Sequence, residues 1–283
     1  TIQWIILLFG LLFFGLPFAY IEVGGWSAMQ SQLPPEFFSL TNIKPSQFIN
    51  WLVTIVPIWF IAMTLYQRIY ASRSVKEARK AWFFAGLLEY PVIAFIGVTL
   101  GMMSRMLFPD VEPEMGLPLL IKQALPIGVT GVVIASYFSA IMSTADSCLI
   151  ASSGNVVNDI LDRYFFRTLS HKQHIRLSQF ATLAIGALTL IIAASFETVL
   201  EIILHAYSFM VAGLFIPTLA ALTMKGVRAP AAIWAMTGGG LFVLASIIFQ
   251  WTLPFDLAPS FYGIIVSTIF FSVIHKATSG EKK

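Results

Sequence analysis

The sequence predicts an all-α, polytopic membrane protein with eight transmembrane helices. Three observations lead to this prediction: 58% of the 283 residues are hydrophobic, only 11% are charged, and apolar windows recur along the whole chain. A helix needs roughly 20 apolar residues to cross the hydrocarbon core of a bilayer. A transmembrane barrel would instead show segments of about ten residues with alternating hydrophobicity, and the sequence has none. The single cysteine, Cys148, lies within a window, so the sequence offers no disulfide framework.

The windows predict one transmembrane domain over residues 1–283. Its helices are expected at about 3–21, 48–67, 81–104, 127–150, 177–196, 202–223, 230–251 and 259–275.

Charge alternates from loop to loop and predicts the orientation of the helices. The loops after the second, fourth, sixth and eighth windows hold 14 of the 17 Lys and Arg residues. The alternate loops carry mainly acids, with Lys44 and Lys122 as the main basic exceptions. By the positive-inside rule, the first helix starts in the cytoplasm and the C-terminus is cytoplasmic. We therefore expect a multi-pass protein of the plasma membrane.

The beginning of the chain predicts that a preceding part is missing. Thr1 is not a methionine, no charged region or small-residue cleavage site follows it, and the apolar run begins almost at once. We interpret the sequence as a truncated chain.

Two polar or helix-breaking features interrupt the second and third windows. Pro57 predicts either a packing kink or a broken helix whose freed carbonyls face a cavity. Glu89 lies about eight residues, or roughly 12 Å, inside the third helix. It is either a buried acid bonded to a neighbouring helix or a contact for a substrate or coupling ion.

The fourth window carries hydroxyls and an acid in an otherwise apolar helix. Ala140, Ser143 and Thr144 stand at i, i+3 and i+4 and so share one helical face, which Ser136 and Ser147 extend. This face is typical of close helix packing, but two hydroxyls beside a carbonyl also suit a small hard cation. Asp146 points elsewhere and is expected to pair with a base or to cap backbone. Downstream, residues 155–163 resemble a helix exit and a solvated loop.

Several motifs give the chain a resemblance to the sodium:solute symporter family. The segment from Ala140 to Ser147, which contains MSTADS, resembles the signature helix of that family. Further pieces agree in their order along essentially the whole chain: TIQW at 1–4, VGG at 23–25, QRIYA and its basic connector at 67–82, LP at 125–126 and AYSFMVAGLFIP at 206–217.

This resemblance implies a partial inverted-repeat bundle of the LeuT type that begins near the fifth core helix. A sodium ion would be bound by the carbonyl of Ala140 and the hydroxyls of Ser143 and Thr144. The remaining ligands would come from the first core helix, which precedes Thr1, so the missing N-terminal helices would be partners of this chain.

The resemblance also implies a solute site, with less direct matches. The second window would be the broken sixth core helix, so that Pro57 and Ala62 would lie at the cavity. Ala62 stands near a position where sugar carriers have an amide, and Glu89 stands where they have a basic residue. Both departures argue against a sugar, and a carboxylate would suit a cationic or amine-bearing solute. Tyr207 and Phe209, with Ser208 between them, match a cavity-facing region of the tenth core helix, whereas His205 is expected to be a packing residue.

We therefore expect sodium-coupled symport of a small organic solute into the cell by alternating access, with the lipid bilayer as surroundings and no nucleic acid as partner. The alternatives are an intramembrane enzyme, a channel, or a non-transporting sensory or structural protein of the same fold. No catalytic residues are assigned, because the sequence has no HExxH motif and no paired histidines at metal-binding spacing; His171 and His174 are expected in a polar loop.

Overall fold

The computed structural model describes residues 2–39, 41–165, 170–196 and 198–279. Within these ranges every regular element is a helix, and eight helices are long and apolar enough to cross a membrane. The predicted fold class and the number of spans are therefore confirmed. Of the residues named above, Thr1 lies outside the described ranges, as do four charged residues of the loops and the C-terminus: Arg167, Glu197, Lys282 and Lys283.

The described residues form thirteen α-helices and three π-helical stretches, and all of these except the third and eighth α-helices belong to the spans. The spans are Trp4–Glu22, Pro45–Tyr70, Val75–Leu107, Ile127–Phe165, His171–Ala193, Val199–Thr223, Ala229–Ile248 and Pro259–Thr278. The α-helices are α1 (Ile2–Phe9), α2 (Leu16–Glu22), α3 (Gly25–Gln32), α4 (Pro45–Ile61), α5 (Met63–Tyr70), α6 (Val75–Leu88), α7 (Phe95–Leu107), α8 (Pro113–Ala124), α9 (Ile127–Gly154), α10 (His171–Ala193), α11 (Val199–Thr223), α12 (Ala229–Ile248) and α13 (Pro259–Ser279). The π-helical stretches are Gly10–Gly15, Glu89–Ala94 and Asn155–Phe165.

The fourth span is longer than the sequence indicates. The helix does not end near residue 150, because Asn155–Phe165 continues α9 as a π-helix. The expectation of a solvated loop at 155–163 is therefore wrong. The following helix, α10, begins at His171, so both His171 and His174 lie in a helix and not in a loop. The apolar window marks only the lipid-spanning part of each helix, whereas helical hydrogen bonding continues past it.

The chain folds into two compact units. The first contains Thr1–Leu40 and Gln67–Ile191. Its main core joins α2, α3, α7 and α8 through Met29, Leu100, Met103 and Leu120, each at most 1% exposed. A second cluster, formed by Ile121, Leu125 and Val133, holds the beginning of α9. The signature helix is thus anchored at one end by apolar packing.

The second unit contains Thr41–Tyr66 and Ile192–Lys283, and so comprises α4 and α11–α13. One cluster packs α4 against α11 through Ile58, Ile61 and Val211. Another joins α11, α12 and α13 through small side chains and one aromatic ring: Ala220, Ala231, Ala235 and Phe271. Small residues let membrane helices approach closely, which is the main source of packing energy between them. A single domain over residues 1–283 stays a prediction.

Candidate functional site

The hydroxyls of Ser143 and Thr144 meet at one backbone carbonyl of α9. Ser143 Oγ donates a hydrogen bond to the oxygen of Ala140 over 2.9 Å, and Thr144 Oγ1 reaches the same oxygen at 3.3 Å. Both side chains are exposed in the chain, and Ala140 is half-buried. The i, i+3, i+4 spacing therefore brings together the three oxygens that the sequence singled out.

These three atoms are neutral oxygens, which is the ligand type that small hard cations take. Oxygen ligands lie about 2.3–2.6 Å from such an ion, which places neighbouring ligands roughly 3.3–3.7 Å apart. Of the two separations from the Ala140 oxygen, the 3.3 Å to Thr144 Oγ1 matches this spacing and the 2.9 Å to Ser143 Oγ is shorter. Within the described part of the chain, no cluster of three His, Cys, Asp or Glu side chains offers a site for a transition metal.

The neighbouring hydroxyls of the same face also bond to carbonyls of their own helix, each to a different one. Ser136 Oγ donates to the carbonyl of Val132 over 2.8 Å, and Ser147 Oγ donates to the carbonyl of Ser143 over 2.8 Å. Asp146 is exposed, and in the described ranges its side chain has neither a basic partner nor a backbone group to cap. On this face, the carbonyl of Ala140 accepts from two hydroxyls, whereas the other carbonyls named here each accept from one.

The second span is interrupted at Ala62, five residues beyond Pro57. Ala62 is extended (φ −67°, ψ 110°) and separates α4 from α5. Pro57 lies buried inside α4 without ending it. The hydroxyl of Tyr66 donates to the carbonyl of Phe60 over 2.7 Å, and so satisfies one of the acceptors that the break releases. The helix is therefore interrupted at Ala62, and not at Pro57.

The solute candidates of the second unit fall on two faces of α11. Ala62 and Tyr207 both pack against the cluster of Ile58, Ile61 and Val211. Phe209 instead faces Gly240 of α12, because two residues along a helix amount to a rotation of about 200°. Ser208, between them, is buried. Ala62 and Tyr207 thus pack against the same cluster, whereas Phe209 lies on another face of α11.

Glu89 belongs to the first unit and begins a π-helical turn. The turn Glu89–Ala94 separates α6 from α7. Such π-helical turns are rare in proteins, and those that occur are frequently found at functional sites. Glu89 is exposed, and its carboxylate has no hydrogen bond or ion pair with any residue in the described ranges. His205 is expected to be a packing residue. Its Nε2 atom lies 3.5 Å from Oε1 of Glu201, and its ring lies beside that of Phe196, with the ring centroids 5.9 Å apart.

A histidine–carboxylate pair lies outside the residues that the sequence pattern singles out. His174 Nε2 lies 2.6 Å from Asp162 Oδ2, which joins the π-helical end of the fourth span to the first turn of α10. The sequence pattern places both residues in solvated segments. An acid and a histidine twelve positions apart carry no local signal, because only the helical extension to Phe165 brings them together.

Most of the chain fits the sodium:solute symporter family. The family model for that description matches residues 1–239, so the chain belongs to this family. The family and the relatives below are transporters, and the interpretation as an intramembrane enzyme is set aside.

Individual relatives are distant and longer. The chain is 27% identical over 158 residues to the high-affinity proline transporter PutP of Bacillus subtilis, covering 53% of this chain and 32% of that protein. It is 25% identical over 275 residues to the sodium/glucose cotransporter of Vibrio parahaemolyticus, covering 89% of this chain and 48% of that protein. The chain therefore spans about a third to a half of the length of these relatives.

The fold is also that of a solved transporter. A structure of a Na⁺-coupled sialic acid symporter in a substrate-bound outward-open state superposes on the chain with a TM-score of 0.68. The match covers 100% of this chain and 61% of that one at 18% sequence identity. The partial LeuT-type architecture is thereby confirmed.

Proposed function

We propose that this chain takes part in sodium-coupled symport of a small organic solute into the cell, across the plasma membrane, by alternating access. The observation that carries the proposal is the convergence of the Ser143 and Thr144 hydroxyls on the Ala140 carbonyl. In a span of a sodium:solute symporter, these are neutral oxygen donors for a monovalent cation. The sodium ion would be bound there as the coupling ion, with further oxygens completing its coordination.

The orientation rests on the distribution of charge. With the basic loops in the cytoplasm, α9 would run inward and the chain would end on the cytoplasmic side. An inward sodium gradient then drives the ion from the outer side of the membrane toward the cytoplasmic side. This is the direction in which α9 leads to the π-helical stretch Asn155–Phe165. A membrane potential adds about 2.3 kcal/mol per charge per 100 mV to this force.

Coupling follows from linkage between ion and solute. Sodium shifts the equilibrium between outward-open and inward-open states only by its differential affinity for them, and the solute contributes in the same way. Release of sodium into sodium-poor cytoplasm then favours release of the solute.

For the solute, the residues favour an amine-bearing molecule. In the first unit, Glu89 supplies an exposed carboxylate at a π-helical turn. Taken by itself, the second unit supplies an apolar and aromatic surface from Ala62 and Tyr207 at the break, with Pro57 buried in the preceding helix. Three of the similar proteins are named as proline transporters or symporters, and proline carries an amine. Phe209 is kept as a candidate contact on the other face of α11.

Sodium binding can be tested without knowing the solute. An ion that binds only the folded protein stabilises it as its concentration rises. The purified gene product should therefore melt at a higher temperature in sodium chloride than in choline chloride. Losing one charge-assisted oxygen contact costs about 1.5–3 kcal/mol, so Ser143→Ala or Thr144→Ala should raise the half-effective sodium concentration roughly 10- to 100-fold.

Matched variants separate a ligand from a structural hydroxyl. Thr144→Ser keeps the oxygen and should retain sodium sensitivity. Ser153→Ala removes a buried hydroxyl from α9 and should also retain sodium sensitivity. An unchanged sodium midpoint in both Ser143→Ala and Thr144→Ala would refute the assignment. Accumulation of radiolabelled L-proline and other amines in proteoliposomes, with sodium and then potassium gradients, tests transport itself.

A further inference from the structure

One end of α4 is bound to the loop between α12 and α13 by a single amide side chain. Asn50 Nδ2 donates to the carbonyl of Asp256 over 2.8 Å, and Asn50 Oδ1 accepts from the backbone N–H of Ala258 over 2.7 Å. Both polar atoms of the amide are therefore used on backbone groups about two hundred positions away.

One turn further along α4, a hydroxyl pair repeats the connection. Thr54 Oγ1 and Ser260 Oγ lie 2.6 Å apart, and the two residues are 2% and 0% exposed. Hydroxyls elsewhere in the spans, such as those of Thr99, Thr189 and Thr268, bond to a carbonyl of their own helix. Thr54 and Ser260 bond to each other, which links two helices where no water is available.

The loop that receives these bonds is itself constrained. Phe255 and Asp256 adopt left-handed backbone angles (φ 59° and 54°), which side chains other than glycine rarely adopt. Tyr262 donates its hydroxyl to the carbonyl of Pro254 over 2.6 Å, and the N–H of Leu257 donates to the same carbonyl over 3.3 Å. The loop can therefore transmit the position of α13 to α4.

The other end of α4 is unlike this one. It ends at the extended residue Ala62, where the span loses its continuous hydrogen bonding. We propose that Asn50 and Thr54 are positioning residues that hold α4 to the beginning of α13 throughout transport, so that the broken span bends only beyond Ala62. This proposal rests on the proposed transport function. We refer to Asn50, Thr54, Asp256, Ala258 and Ser260 as the α4–α13 clamp.

A reversible cross-link tests the clamp. The double variant Thr54→Cys, Ser260→Cys is made in a Cys148→Ala background and oxidised with copper phenanthroline in sodium chloride and in choline chloride. If the clamp persists, cross-linking proceeds at the same rate in both salts. Absence of a cross-link, or formation in only one salt, would overturn the proposal. Each single-cysteine variant is the matched control for nonspecific oxidation.

Transport provides the second measurement. Sodium-driven uptake of radiolabelled L-proline and D-glucose into proteoliposomes is compared before and after oxidation. The cross-linked protein should show no loss of uptake, and loss that is reversed by dithiothreitol would overturn the proposal. Should the uncross-linked protein carry neither probe, the choice of solute fails, while the rates in the two salts still decide the clamp.

Rescue distinguishes positioning from mere stability. Asn50→Ala should lower uptake, and the Thr54–Ser260 disulfide formed in the same protein should restore it. Uptake that stays low after cross-linking of correctly folded protein would contradict a positioning role for Asn50.

Discussion

The contact between α11 and α12 predicts the effect of a single methyl group. Gly239 is buried where the two helices and α13 meet. A Cβ built on it would overlap the carbonyl oxygen of Ala212 and lie 2.9 Å from Cβ of Ser267. Because the first of these atoms belongs to a helix backbone, it cannot rotate away, and α12 must move.

The magnitude follows from two opposing terms. Alanine favours a helix over glycine by about 1 kcal/mol, whereas overpacking a filled site costs typically 1–3 kcal/mol and occasionally more. Contact with backbone places Gly239→Ala at the upper end, with a net destabilisation of about 2 kcal/mol. For a chain of this size, roughly 2–4 °C per kcal/mol gives a melting temperature about 4–8 °C lower.

The next residue offers a matched control. Gly240 is also buried in α12, but a Cβ there would lie 3.5 Å from the ring of Phe209, an ordinary contact. Gly240→Ala should therefore keep or raise the melting temperature. Both variants would be heated in detergent and the monodisperse fraction measured by size-exclusion chromatography. If Gly239→Ala melted at or above Gly240→Ala, the close approach of these helices would be refuted.

Two further variants test hydrogen bonds at the ends of α4. Tyr66→Phe removes the donor to the Phe60 carbonyl and should lower stability by about 1 kcal/mol; Tyr164→Phe, at a tyrosine that is 68% exposed, should not, and equal melting temperatures would contradict the cap. Asn50→Ala removes both bonds to the α12–α13 loop and should cost about 2 kcal/mol in thermal unfolding. The exposed Asn158→Ala is its control, and an Asn50→Ala protein as stable as that control would disprove the bonds.

The spans were predictable because their cause is local and large. Crossing a bilayer requires a long apolar stretch, and no competing arrangement satisfies backbone groups in lipid. The beginning of the third span is also local in origin. Ser74 caps α6 by accepting from the N–H of Glu77 over 3.2 Å, which is the Ser-x-x-Glu pattern of a capping box. The helix therefore begins at Val75, before the apolar window does.

The interruption of the helix at Ala62 could not be predicted from the local sequence. Alanine is the best helix former, so nothing local predicts an extended residue there. The visible helix breaker, Pro57, removes one hydrogen bond and is accommodated inside α4. What marks the break is the bond from Tyr66 back to Phe60, which exists only once the chain has turned.

Part of the candidate site could be predicted from local sequence, and part depends on how the helices pack. Ala140, Ser143 and Thr144 lie within one and a half turns of one helix, so helical geometry alone brings their oxygens together. Tyr207 and Phe209 are neighbours in sequence, but which of them faces α4 depends on how α11 packs. Sequence spacing fixes relations within a helix and leaves the partner of each face undetermined.

The proposed sodium site also explains why hydroxyls serve here better than a carboxylate. Ser143 and Thr144 both have a hydrogen-bond acceptor, the Ala140 carbonyl, when no ion is bound. Departure of the ion therefore leaves no unsatisfied hydroxyl, whereas a carboxylate at this depth would be left as an uncompensated charge at a cost of several kcal/mol. A coupling ion must be released in every cycle. A donor set that satisfies itself keeps the ion-free state low in energy.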